Sequence, residues 1–200
     1  MGRFDELNDR LGRFDELNDR LGLNGRWGAA TEVGLWEGSW VTDRDSLHAL
    51  LDHHAVERLH ASYADVVNRR SWRSLEPLFE PDATVRLDLV DREPIDVAGP
   101  SALGEFLGRA VARFEFFEMI PLTLHVDPPG TDSPDLLDSR LWMCEVRRET
   151  GSLDWSVAYG LYQDTYRRED GTWRFASRAY RSLTRTDGAV FPLPEGLGDY

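Results

Sequence analysis

The sequence predicts an α+β domain: a cone-shaped, curved antiparallel or mixed β-sheet wrapped around about three N-terminal helices. Three observations predict it. Apolar residues recur at helical spacing up to about residue 111, strand-like aromatic and β-branched runs fill the chain beyond Phe114, and turn signals separate those runs. Helices first and a long meander afterwards is the α+β order. A strongly curved sheet wrapped around helices leaves a cone with one open end, a usual place for a small-molecule site.

The folded part is expected to open at Thr42–Asp45, where Thr-Asp-Arg-Asp-Ser offers several N-caps. A helix then runs to about Asn68, with a break expected near Asp52. Val56, Leu59, Tyr63, Val66 and Val67 mark its buried face. A short helix covers Trp72–Leu78 and ends before Pro81. Ala83–Leu89 and Pro94–Val97 read as paired strands around the turn Val90-Asp91-Arg92-Glu93. Gly99-Pro100-Ser101 starts a third helix, with Leu103, Phe106, Leu107, Ala110 and Val111 at helical spacing. The remaining strands are Met119–Val126, Leu136–Arg147, Ser152–Arg167 and Thr172–Thr184.

Ahead of this domain, residues 1–44 are expected to form an extension, and 187–200 a tail; the domain itself takes 45–186. The extension carries Gly2–Leu11, GRFDELNDRL, repeated verbatim as Gly12–Leu21. Two copies are too few for a solenoid. They suit either a small appended helix or a recent duplication in a poorly ordered tail.

Composition removes several functions. The net charge of −13 argues against nucleic acid as a partner, because phosphate binding needs a basic surface. Every cation is arginine, so a lysine Schiff base and the lysine-bearing phosphate loop are excluded. A single cysteine, Cys144, permits no internal disulfide and reads as a small buried hydrophobe. No stretch has the ~20 apolar residues of a membrane span, and with no apolar leader the cytoplasm is the expected compartment. His48, His53, His54 and His60 fall in the opening helical region without a carboxylate or cysteine set to complete a metal site, so no metal and no cofactor is expected.

Four segments carry a resemblance. Ala55–Trp72, AVERLHASYADVVNRRSW, is similar to the opening helix of SnoaL-like proteins of the nuclear-transport-factor-2-like superfamily. Leu78–Val85, LFEPDATV, resembles the helix-to-strand passage that follows. The strand ending Thr123-Leu124-His125 resembles the one that brings a pocket histidine inward. GLYQDTYRREDGTWRFASR carries the Gly-x-Tyr-x-Asp and Gly-x-Trp-Arg pattern. Together they cover about two thirds of the chain. The superfamily includes scytalone dehydratase, ketosteroid isomerase, dehydrochlorinases, polyketide cyclases and the largely structural β subunits of ring-hydroxylating dioxygenases, so the fold alone does not set function.

The resemblance implies His125 as the base, with Asn68 at the place of an orienting aspartate. An amide can fix an imidazole tautomer but cannot stabilise an imidazolium by charge. Asp65 and Asp88 are alternative partners. Tyr63 matches an oxyanion-donating tyrosine. Trp72, Leu89, Trp142, Tyr162 and Asp88 are expected to touch substrate, while Asp164 is expected to pair with Arg178 on the adjacent strand. The function these residues suggest is a cofactor-independent lyase or isomerase of the dehydratase or cyclase type, acting on a hydrophobic cyclic or polyketide-like molecule. The alternative is a non-catalytic ligand-binding or assembly domain comparable with the dioxygenase β subunits. A homodimer through the open sheet face is the partner that the resemblance implies.

Overall fold

The chain divides into two units, Met1–Asp43 and Arg44–Tyr200. The computed structural model describes residues 44–197 except 131, 132, 187, 189 and 195, all within the second unit. The tandem repeat and the extension lie outside the described residues.

Helix α1 spans Arg44–Asn68 without a break at Asp52. Asp52 is occupied instead: its Oδ1 accepts from Arg168 and from the Trp173 indole, each at 2.9 Å. A 3-10 helix, η1, covers Trp72–Leu78, and α2 covers Gly99–Val111. Trp72 lies across α2 where the latter has only glycines. A Cβ at Gly104 would meet the Trp72 Cβ at 3.1 Å, and one at Gly108 would meet its indole nitrogen at 3.2 Å.

The strands are β1 Phe79–Asp88, β2 Ile95–Ala98, β3 Phe114–Val126, β4 Leu136–Glu149, β5 Trp155–Glu169 and β6 Thr172–Arg185. They form one sheet in the order β2-β1-β6-β5-β4-β3. All neighbours are antiparallel except β1 and β6, which run parallel and make the sheet mixed. The apolar core lies between the helices and one face of this sheet, here called the hollow face. It gathers Val56, Tyr63 and Val67 of α1, Leu75, Leu103, Phe79, Val85, Leu141, Met143 and Phe175. After β6 the chain returns alongside that strand: Val190 bridges Thr184, Phe191 N–H donates to Leu183 O at 2.7 Å, and Arg181 Nε donates to Pro192 O. No helix among the described residues is long and apolar enough to cross a membrane.

Candidate functional site

Strand pairing lays the hollow face out in rungs, two residues or about 6.6 Å apart. At one end stand Phe117 and Arg147; next come Met119, Glu145, Ala158 and Arg185; then Pro121, Met143, Gly160 and Ser182. Below them lie Leu124, Leu141, Tyr162, Tyr180 and Leu87, and then Val126, Ser139, Asp164, Arg178 and Val85. The first rungs are the mouth end, where α1 terminates. Asn68, the last residue of α1, donates Nδ2–H to Met119 O at 3.0 Å and accepts Met119 N–H on Oδ1 at 2.7 Å. It copies a backbone pair on the edge strand β3.

The base of the hollow is a buried polar cluster. Asp164 accepts from Arg178 Nε and Nη2 at 2.8 and 3.1 Å, and both side chains have no exposed surface. The Arg178 guanidinium lies between the rings of Tyr63 and Tyr162, 4.1 and 4.0 Å from their centroids. Its Nη2 also donates to His60 Nδ1 at 3.2 Å. That fixes the tautomer: an Nδ1 that accepts leaves the proton on Nε2, which donates to the Tyr166 hydroxyl at 2.5 Å. The Tyr166 hydroxyl is also bonded to Ser139 at 2.7 Å. Burial, then the Arg178 charge, holds the His60 imidazole well below its usual range, so it is neutral. This cluster is neutralised and bonded nearly throughout, which is the behaviour of a structural core.

The mouth differs. Glu145 follows Leu141 and Met143 on the inward side of β4, yet no hydrogen bond reaches its carboxylate among the described residues. Arg147 Nη1 is 3.5 Å away. Burial raises the Glu145 carboxyl, and the Arg147 and Arg185 charges only partly offset this. Its charge is felt by the phenols of Tyr63, Tyr162 and Tyr180, which burial holds above their ordinary range. Tyr180 leans towards Glu145. A Cβ at Gly160 would lie 2.2 Å from the Tyr180 ring and 2.7 Å from its hydroxyl, so the ring occupies the rung immediately below the carboxylate. The glycine of the Gly-x-Tyr-x-Asp pattern is the space that ring needs.

The expected site residues separate between faces. Tyr63 and Tyr162 are on the hollow face, buried, with Asp164 paired to Arg178 beneath them. Leu89 is half-buried against the core, and its carbonyl accepts from Arg185. Trp72 packs on α2. His125 points outward. From Met119 inward, simple alternation would also turn residue 125 inward, but a β-bulge between Pro121 and Thr123 inserts one residue and inverts the phase. Leu124 and Val126 therefore pack on the core, and His125 is 59% exposed, bonded to Asp127 at 3.0 Å. Asp127 is held in turn by Arg140 through two bonds of 2.9 Å. Asn68 does not orient His125: both ends of its amide are used by Met119, about 20 Å back along the strand. Trp142, between inward Leu141 and Met143, faces outward, and Asp88 faces outward with Arg181 at 2.6 Å. Neither lines the hollow. Asp65, one turn before Asn68, is exposed and bonded to Arg69.

Sequence reasoning passed over Glu145, Arg147 and Tyr180, and weighed His60 only as a metal ligand. A readable signal existed for the first two. Leu137, Leu141 and Met143 set the inward phase of β4, and continuing it places two charged residues, 145 and 147, where apolar ones would be expected. Among the described residues no group of three or more His, Cys, Asp or Glu is arranged to hold a metal ion.

Helices packed in the hollow of a mixed six-stranded sheet, with polar groups inside the hollow, define the cone-shaped α+β class. The chain belongs to the SnoaL-like domain family, whose model matches residues 48–179. No curated protein matches the sequence significantly. Among solved structures, a protein assigned as a scytalone dehydratase in Novosphingobium aromaticivorans is 23% identical with a TM-score of 0.61, over 75% of this chain and 97% of that one. The hexachlorocyclohexane dehydrochlorinase LinA, type 3, of Novosphingobium barchaimii is 19% identical with a TM-score of 0.60, over 76% and 100%. At these identities the likeness is one of fold.

Proposed function

We propose that the chain is a cofactor-independent lyase or isomerase that moves a proton on a small hydrophobic cyclic or polyketide-like molecule held in the hollow. The observation that carries this reading is Glu145: a carboxyl on the hollow face, raised by burial towards neutrality, with phenols beneath it and apolar Phe117, Met119 and Met143 beside it. A carboxylate whose pKa is raised by burial is a stronger proton acceptor. Phenols kept protonated by burial can donate to an oxyanion as it forms. Glu145 takes a proton from carbon next to a carbonyl. Tyr180, with Tyr162 and Tyr63 deeper, stabilises the enolate oxygen, and the proton returns elsewhere on the molecule or a β-substituent leaves. His125, on the outer face, is the rival base. The dehydratase and dehydrochlorinase names of the structural neighbours agree with proton abstraction as the common step.

Exchange of the α-protons of tetralone into deuterated water, followed by NMR, reads that step without the natural substrate. Glu145→Gln is expected to lower the exchange rate by about 100-fold or more, and His125→Ala to leave it within about twofold. The reverse pattern would move the base to the outer face and sink the assignment.

The outer face supports a partner reading. Leu122, Trp142 and Tyr159 are 52, 39 and 46% exposed there, an apolar stripe over β3, β4 and β5. We propose that a second copy of the chain covers it. Sedimentation should give a dimer that Trp142→Arg converts to monomer; a monomeric wild type at micromolar concentration refutes it.

A further inference from the structure

Among the described residues four arginines project onto the hollow face, and they are treated differently. Arg168, at the end beyond Tyr166, is held by Asp52, Asp135 and Pro134 O. Arg178 at the base is held by both Asp164 oxygens and by His60. Arg185 is held by Asp91 at 2.9 Å and by Leu89 O at 3.1 Å. Arg147 has neither kind of support. Among the described residues its neighbours of opposite character are Glu145, at 3.5 Å and outside hydrogen-bonding geometry, and the Phe114 ring, 5.6 Å from the guanidinium carbon. Its Nε is buried and without a hydrogen-bond partner, and only 16% of the side chain is exposed. A guanidinium N–H withdrawn from water with no acceptor is costly unless one arrives. Flexible pairing with Glu145 would satisfy it, yet the i, i+2 spacing on one strand holds the two side by side rather than head-on.

We infer that Arg147 receives an anionic oxygen of the substrate, so that the molecule turned over in the hollow is a hydrophobic ring system bearing a carboxylate or an equally acidic enol. This rests on the hollow being the site described above. Planar guanidinium donors fit a carboxylate through two parallel hydrogen bonds, which also fixes orientation. With the acid group at Arg147, on the outermost rung, the ring system lies inward over Glu145 and Tyr180, one and two rungs deeper. An anion there also withdraws the Arg147 charge from Glu145 and adds a negative one. The carboxyl therefore holds its proton more strongly once substrate is bound, and its affinity for a proton rises when the substrate carbon must give one up.

Naphthoate and its neutral amide, naphthamide, have nearly the same shape and differ in charge. Quenching of tryptophan fluorescence in the full-length protein gives both dissociation constants. Naphthoate is expected to bind about tenfold or more tightly than naphthamide, with the preference weakening as salt is added. In Arg147→Gln the ratio should fall to near one, with naphthamide still bound. A far-UV circular dichroism spectrum matching wild type shows the variant folded. Arg147→Lys should restore part of the preference, and it serves as the test if the glutamine variant is unstable. A wild-type ratio near one, no binding of either compound, or a ratio unchanged in Arg147→Gln each overturns the inference. Because the readout is binding, it separates from the reaction: loss of charge discrimination with tetralone exchange intact rejects the anion partner alone. Intact discrimination with no exchange in any variant rejects the proton-transfer reading alone.

Discussion

Arg178 and Arg147 share a sheet face and differ in nearly everything around them. At the base, the guanidinium is fully enclosed, sandwiched between two tyrosines and paired through two bonds to an equally enclosed carboxylate. At the mouth, the guanidinium has one loose neighbour and an empty nitrogen. Burial of a charge is tolerated in a fold when every lone pair and proton is used. The base meets that condition with one exception, Arg178 Nη1. The mouth fails it at Arg147 and Glu145, although Asn68 and Arg185 beside them are bonded, and a failure of that kind is where a ligand's polar atoms can act. The same contrast separates Asp164, locked by two bonds to Arg178, from Glu145, which has only Arg147 at 3.5 Å among the described residues.

The largest way to break this comparison is at the base. Arg178→Met removes the cation and leaves the Asp164 carboxylate buried with only the long bond of 3.5 Å from the Tyr166 hydroxyl. Breaking a buried pair on one side costs about 3–5 kcal/mol. Urea unfolding should show a loss of that size, and Arg147→Met should lose less than about 1 kcal/mol, because the Glu145 carboxyl it leaves keeps 20% of its side chain exposed, still feels the Arg185 charge and can take up a proton. Equal losses would mean that the two ends of the hollow are built alike.

Much of the fold was readable because each element carries a single period. η1 at Trp72–Leu78 agrees with the expected bounds, and Gly99-Pro100 marks the start of α2 where Pro can occupy the first turn. β4 and β6 differ from expectation by two residues or fewer at their ends. The helix break expected at Asp52 fails because that carboxylate is used from outside, by Arg168 and Trp173, and the local pattern cannot show this. The site was less readable for a specific reason. Which face a strand residue takes depends on every residue between it and a reference point, and one inserted residue inverts the answer. In β3 that insertion is the bulge after Pro121, on an edge strand where proline is permitted. Without it His125 would face the helices. Asn68 was readable as an amide but not as a clamp, since its partner is backbone fifty-one residues away. Glu145 and Arg147 were written in the alternation of β4, and Asp164 with Arg178 in the pairing of the last two strands.

A smaller effect sharpens the comparison through pH. His60, enclosed beside Arg178, stays neutral in the folded chain because burial and that charge both disfavour its proton. In the unfolded chain it titrates near the ordinary histidine value of about 6.5. As pH falls through that value the unfolded state gains a proton that the folded state refuses, so this group lowers stability on acidification, by at most about 1.4 kcal/mol per pH unit. The contribution is absent above about pH 7 and grows below about 6.5. His60→Gln removes it. The variant also loses the bonds to Tyr166 and Arg178, so at neutral pH it should be less stable by about 1–3 kcal/mol. That deficit should shrink by roughly 1 kcal/mol between pH 7 and pH 5.5, measured by urea unfolding at each pH. A deficit that stays constant or widens on acidification would show that the base of the hollow holds a charged imidazole. The cluster around Arg178 would then be a proton reservoir rather than the neutral floor on which the mouth is set.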